Sequence, residues 1–255
     1  MQIEGSLDYA LARVLARSGA RLDEAGWRRL DANRDLGLYL AAVRATSMAD
    51  WVGGFDTEHN CHTFESALRA RWRRYVEALA IWHPESWQAW LSWLAWLPGL
   101  SLLAQLARAE SAPTWILADS VYGRIAPGTP AERILALAQT PLAPLEPVLE
   151  GRISAGQAWI DHWQSLLPNT DVRTASLLEL VLRAIGQHQR QLLHTADSSE
   201  ALREELANRL QRLLRIGAGT AIVSVCHLGL VALDLERLRG ALACRRLFAD
   251  RRELP

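Results

Sequence analysis

His59, Cys61 and His62 place two imidazoles and a thiol in one short stretch, the donor types that bind zinc. A closed site needs a fourth donor and a second cluster. No matching cluster lies nearby, and His83 or His162 would have to come from afar, so no metal is expected. Asp161, His162 and Glu236 could exchange protons with a substrate, but nothing in their spacing pairs them. Gly217-Ala218-Gly219-Thr220 has the look of a phosphate nest, yet it follows helical sequence and not a strand, and a helix break is the simpler reading. GxSxG, HExxH, P-loop and dinucleotide glycine patterns are absent. No catalytic, cofactor-binding or metal-binding residue is assigned.

What remains is surface chemistry. Arg69, Arg71, Arg73 and Arg74 crowd one helical stretch, with Glu65 and Glu77 placed for i,i+4 pairs. Solvated charge is one reading; a contact face for an acidic partner is the other. Trp87, Trp90, Trp93 and Trp96 recur every third residue. On a helix that step turns about 300°, so the rings spiral and cannot form one narrow stripe. An aromatic docking surface is weighed against a helix buried on most sides, and burial is favoured. The opening segment carries Tyr9, Arg13 and Arg17 at four-residue spacing. The closing one carries Glu236, Leu238, Arg239, Leu242 and Arg245. Arg69, Arg71, Arg73, Arg74, Trp87, Trp90, Glu236 and Arg239 are the candidate partner contacts.

These groups must be held by helices. The chain has 255 residues, half of them hydrophobic, with a formal net charge of zero. Such a chain can bury a large core, and no global field draws it to nucleic acid, which is not expected as a partner. Three scattered cysteines, Cys61, Cys226 and Cys244, read as reduced thiols and not as a disulfide framework. Met1–Asp8 lacks the basic flank and apolar run of a signal peptide. Ser86–Ala107 and Ile216–Leu233 are uncharged and nearly long enough to span a bilayer. Pro98-Gly99 should split the first, and both are read as buried helices of a soluble protein.

Punctuation by Gly, Pro, Asp and Asn predicts helices over 7–17, 23–32 and 35–46, then a loop over 47–60. A long helix is expected from Thr57 to about Trp82, followed by the tryptophan-rich helix and one at 100–109. Residues 112–168 hold seven of the ten prolines and should fold as short helices. Long helices should return over 171–195, 198–215, 219–233 and 234–248. No alternating strand pattern is visible, so the expected class is all-α, without β-sheet. Composition marks off 1–111, a proline-rich 112–170 and 171–255 as parts of one continuous unit.

With the helices placed, the chain resembles the C-type central-stalk subunit of bacterial and archaeal rotary V/A-type ATPases and ATP synthases. That family includes the d-type subunit of the eukaryotic V-type membrane sector. Asp8-Tyr9-Ala10-Leu11-Ala12-Arg13-Val14 is similar to the family's opening aromatic–small–x–x–Arg helix. Leu22, the Tyr39–Thr46 helix and Gly53-Gly54 follow in the family's order, and Leu100–Arg108 resembles its Leu-Leu-Arg helix. At the other end an uncharged helix, Ile222–Val231, precedes an acidic Leu-Arg helix, Leu235-Glu236-Arg237-Leu238-Arg239. The departures are Pro98-Gly99 and Leu100 where acidic and asparagine positions belong, the missing tyrosine near Met48, and a shorter, reshaped middle. The resemblance implies a funnel-like assembly of pseudo-repeated helical bundles. Members of the family catalyse nothing and need no cofactor. They sit peripherally on the cytoplasmic face of the membrane, held by protein, between the proteolipid ring and the rotor shaft, and transmit torque for proton or ion transport. The Arg-rich long helix would grip acidic shaft residues. Competing readings are a diverged helical adaptor outside any motor, an α-helical enzyme with a tryptophan-walled pocket, and an integral membrane protein.

Overall fold

The computed structural model describes residues 6–194 and 199–249, and these contain helices and turns but no strand. The fold is all-α. Met1–Gly5, part of the leader reading, and the expected helix end points Thr195 and Ser198 lie outside the described residues. The chain forms two compact units. The first draws on 1–71, 78–85 and 169–255, the second on 72–77 and 86–168. The partition by composition is one of sequence and this one is of contacts; residues 86–111 and 112–168 share a unit.

In the first unit, α1 (Leu7–Gly19), α2 (Glu24–Asp31) and α3 (Leu36–Arg44) each begin at a polar cap. Ser6, Asp23 and Asp35 accept from the amides of Tyr9, Gly26 and Leu38, satisfying N–H groups that the first turn leaves over. The stretch read as a loop contains a short helix, α4 (Ala49–Val52), which buries Trp51 and Val52. The long helix α5 spans Cys61–Ala80 and does not begin at Thr57. Asp56 Oδ1 accepts from the amides of Glu58 and His59 and folds the chain into a turn. Asn60 then caps, accepting from Thr63 N at 2.9 Å. Phe64, Leu68, Trp72, Val76 and Leu79 are the buried face of α5.

The first unit is completed by α13 (Val172–His194), α14 (Ser199–Ile216) and α15 (Ile222–Ala249). Here the expected pair of helices, 219–233 and 234–248, is a single helix of 28 residues. Asp234 caps nothing. It sits mid-helix, nearly buried, and takes a bidentate ion pair from Arg21, with Nε–Oδ2 at 2.7 Å and Nη2–Oδ1 at 2.8 Å. Gly219, at φ 85°, makes the break between α14 and α15 that the glycine-rich tetrapeptide was read as.

In the second unit, α6 (Glu85–Ser92) passes into a 3-10 segment, Trp93–Gly99, and then α7 (Leu100–Arg108). Proline cannot donate to the carbonyl four residues earlier, here Leu94. That oxygen instead accepts the indole N–H of Trp72 at 3.0 Å. Gly99 is required by a close approach, because a Cβ there would run into the buried Tyr122 ring. The proline-rich middle gives short helices as expected: α8 (Thr114–Leu117), α9 (Tyr122–Ile125), α10 (Pro130–Ala138), a 3-10 turn at Ala143–Leu145, α11 (Glu146–Leu149) and α12 (Ala155–Ser165). Thr129 and Glu132 form a full capping box at α10. Arg133 is 2% exposed and donates to the carbonyls of Ala126, Leu106, Ala109 and Glu110. A cation thus closes the ends of α7 and α9, where carbonyls lack helical partners.

Two mutational outcomes follow from Arg133 and from the Arg21–Asp234 pair. Arg133→Met should lower the urea midpoint by an amount equal to about 3 kcal/mol, since it strands buried carbonyls; a loss near zero would mean water replaces the guanidinium. Arg21→Met and Asp234→Leu should each cost about 3–5 kcal/mol, and the double variant clearly less than either, because only the single changes leave a buried charge alone. Additive losses would contradict that account.

Candidate partner-contact surfaces

The eight candidate contacts divide by what their side chains already hold. Arg71, on the buried flank of α5, donates to the carbonyls of Trp51 and Gly53 and lies 4.4 Å from the Phe55 ring centroid. It fastens the glycine-containing turn after α4. Arg44 donates to Phe55 O in the same turn. Trp90 is corrected: it is fully buried, stacked on Trp163 with centroids 4.8 Å apart and planes 7° apart. Its faces are spent inside the second unit, and a partner could not reach them. Trp87 is half-buried and meets Trp90 edge-on at 5.4 Å.

The tryptophan spiral is therefore core on most sides. Trp93 and Trp159 exchange indole hydrogen bonds with each other's carbonyls at 3.1 and 3.3 Å. Trp163 donates to Trp90 O at 3.0 Å. Glu85–Arg108, which contains the spiral, is long and apolar enough to cross a membrane by length and composition, and half of its apolar window is buried within the protein.

Among the arginines, Arg69 is largely covered and lies 3.7 Å from Glu65. Arg73 rests over Trp96 at 4.8 Å from its centroid. Arg74 is exposed on α5, and Glu236 and Arg239 are exposed on α15. Arg239 reaches Glu65 at 3.8 Å while its side chain stays 58% exposed. Arg74, Glu236 and Arg239 are the candidates with surface to offer.

The groups read for chemistry are engaged locally. His59 Nδ1 meets Asp56 Oδ1 at 2.5 Å, and this hydrogen bond leads the causes that hold the Asp56 carboxyl below its ordinary range. Asp161 accepts from Gln157 Nε2 at 2.7 Å, and His162 packs edge-on to Trp93 at 4.5 Å. Among the described residues, no three His, Cys, Asp or Glu side chains gather as a metal set.

Sequence reasoning overlooked two serine–histidine pairs built on buried histidines. His83 Nε2 lies 2.8 Å from Ser224 Oγ, with Nδ1 3.1 Å from Leu79 O. His227 Nδ1 lies 2.7 Å from Ser18 Oγ. Both join α15 to other parts of the first unit, and no local motif announces a pair so distant in sequence. Burial lowers the proton affinity of His83. Burial, then the charges of Arg21 and Arg17, hold His227 down to about 4.

It also overlooked Trp82, which lies under Arg13 and Arg17 at 4.2 and 4.5 Å from its centroid. The four-residue spacing of Tyr9, Arg13 and Arg17 was visible; the ring beneath them comes from a distant stretch.

No family model matches the chain, and no curated protein or solved structure matches it.

The histidines set a pH dependence. Both are held neutral in the folded protein, whereas an unfolded imidazole takes a proton near 6.5. Stability should be full above about pH 6.5 and fall as pH drops toward 4, with His227 accounting for about 3 kcal/mol. Urea unfolding between pH 7.5 and 4.5 checks this. His227→Gln should flatten much of the slope; an unchanged slope would mean His227 does not carry it.

Proposed function

We propose that this chain is a non-catalytic helical coupling subunit of a rotary V/A-type ATPase, linking a rotor shaft to a membrane proteolipid ring. In this reading it lies on the cytoplasmic face, is held peripherally through protein, and transmits torque for proton or ion transport within a funnel-like assembly of helical bundles. The observation carrying the reading is that the two chain ends bearing the resemblance belong to one unit. Helix α1, with the Tyr9–Arg13 motif, packs on α15, with the Leu235–Arg239 motif, and Arg21 joins Asp234 between them. Torque transfer asks for stiff members fixed by several bonds. Arg237 supplies more, reaching Glu24 at 2.8 Å and Asp31 at 2.8 Å from α15.

Gripping a partner asks for exposed charge, which Arg74, Glu236 and Arg239 provide. Uncharged surface would serve the ring.

The test is purification of the tagged chain from its native cell in mild detergent. Shaft and ring subunits are expected to co-elute. Their absence, with only soluble non-ATPase proteins recovered, would contradict the proposal and favour an adaptor outside any motor. Within a recovered complex, Arg74→Glu with Arg239→Glu should weaken retention about tenfold at moderate salt. Unchanged retention of the doubly substituted, folded chain would remove these charges from the account.

A further inference from the structure

We infer that the corner where α13 begins and α14 ends, built on Val172, Arg173, Arg212, Arg215 and Ile216, docks directly onto an anionic lipid surface. Val172 is 84% exposed and Ile216 59% exposed. Arg173 holds them at the same end of the helix pair, its Nη2 donating to Ile216 O at 3.0 Å and to Ala218 O at 3.2 Å. Carbonyls left over at the end of α14 are thereby met, and the first turn of α13 is tied to the last turn of α14. Arg212 stands one turn before Ile216 on α14, with Arg215 beside it, and both arginines are exposed. Arg212 Nε donates to Asn208 O at a long 3.4 Å. The next carboxylates along the two helices, Glu205 and Glu179, are held by Arg209 and Arg183.

Charge and side-chain type select the occupant. Three arginines against one aspartate, Asp171, leave a local charge of +2. Asp171 is engaged as the cap of α13, accepting from Thr174 N at 2.6 Å. Guanidinium forks match phosphate oxygens, and each arginine close to an anionic bilayer adds to the attraction. The apolar component is aliphatic: no Trp, Tyr or Phe lies within 171–175 or 211–222. Valine and isoleucine enter the boundary of a bilayer readily, and their buried area adds to the pull on the charges. Tight protein contacts centre instead on Trp, Tyr and Arg, with Val under-represented. A nucleic acid would meet the arginines but leave both aliphatic side chains in water.

This lipid contact goes beyond the rotary reading, in which protein holds the chain to the membrane, and does not depend on it. The test is flotation of the purified full chain with phosphatidylcholine vesicles holding about one-third phosphatidylglycerol, set against vesicles of phosphatidylcholine alone. The chain should float with the anionic vesicles at about 0.05 M salt, leave them at about 0.5 M, and not float with the neutral ones. Arg212→Gln with Arg215→Gln should weaken partition about tenfold, and Arg212→Lys with Arg215→Lys should keep most of it. Val172→Ser with Ile216→Ser should also weaken it about tenfold. Arg173 is left in place because it closes the end of α14. Arg29→Gln, an exposed change on α2, should have no effect. Urea midpoints equal to that of the parent chain show that the variants are folded. No flotation with anionic vesicles, or undiminished flotation of the glutamine or the serine pair, would overturn the inference. So would binding to polyglutamate that depends on Arg212 and Arg215 and exceeds binding to the vesicles, since the occupant would then be a protein. Co-elution of shaft and ring subunits reports on the rotary reading alone, and flotation on this contact alone.

Discussion

The buried pairing of Arg21 with Asp234 is the constraint on which the first unit depends. A carboxylate in the middle of a long helix, nearly closed off from water, is costly unless a cation meets it. Burial pushes the Asp234 carboxyl up, against the opposing pull of Arg21. The two residues are 213 positions apart, so the pairing forms only when both ends of the chain have come together. Other contacts along α15 reinforce this seam. Ser18 meets His227, Arg237 meets Glu24 and Asp31, and Arg245 donates to Asn33 O while lying 3.9 Å from the Tyr39 ring centroid. Burial works against the charge of Arg237, but Glu24 and Asp31 outweigh it. One face of α15 is thereby committed to the opening helices.

The second unit solves a different problem with the same residue type. Prolines and short helices leave many carbonyls without helical partners. Side-chain donors make up the deficit: Trp72 for Leu94, Trp163 for Trp90, and Arg133 for four carbonyls at once. Carboxylates bind Arg21 and Arg237 along α15, whereas Arg133 donates to backbone carbonyls. Indole and guanidinium can do this because each pairs a broad apolar face with directed N–H donors.

Much of the helical layout was legible because caps and breakers are local. Asp23, Asp35, Thr129 and Gly219 act where their sequence context says they should. The same locality explains the misreadings. Asp234 has the sequence look of a cap, but Arg21, far away in the chain, claims its carboxylate and the helix runs on. Thr57 yields to Asn60 because Asp56 first spends its oxygen on a turn. Surface roles were harder to read. Arg71 and Arg74 lie three residues apart on one helix, yet the first is drawn to the carbonyls of Trp51 and Gly53 and the second points to solvent. Trp90 was visible as one ring of a spiral, but its stacking on Trp163 depends on α12 arriving beside it. The spacing of Tyr9, Arg13 and Arg17 was visible, but the Trp82 ring under the two arginines comes from a distant stretch.

The rotary reading requires α1 and α15 to behave as one stiff member, since a surface that frays cannot pass on force. Hydrogen exchange of the full chain measures this directly. In Asp234→Asn, amides of α1 and α2 and those of α15 around Leu230–Leu238 should lose protection together and by a similar factor. Loss confined to α1, with α15 unchanged, would show that the two ends open independently and that the Arg21–Asp234 seam does not unite them.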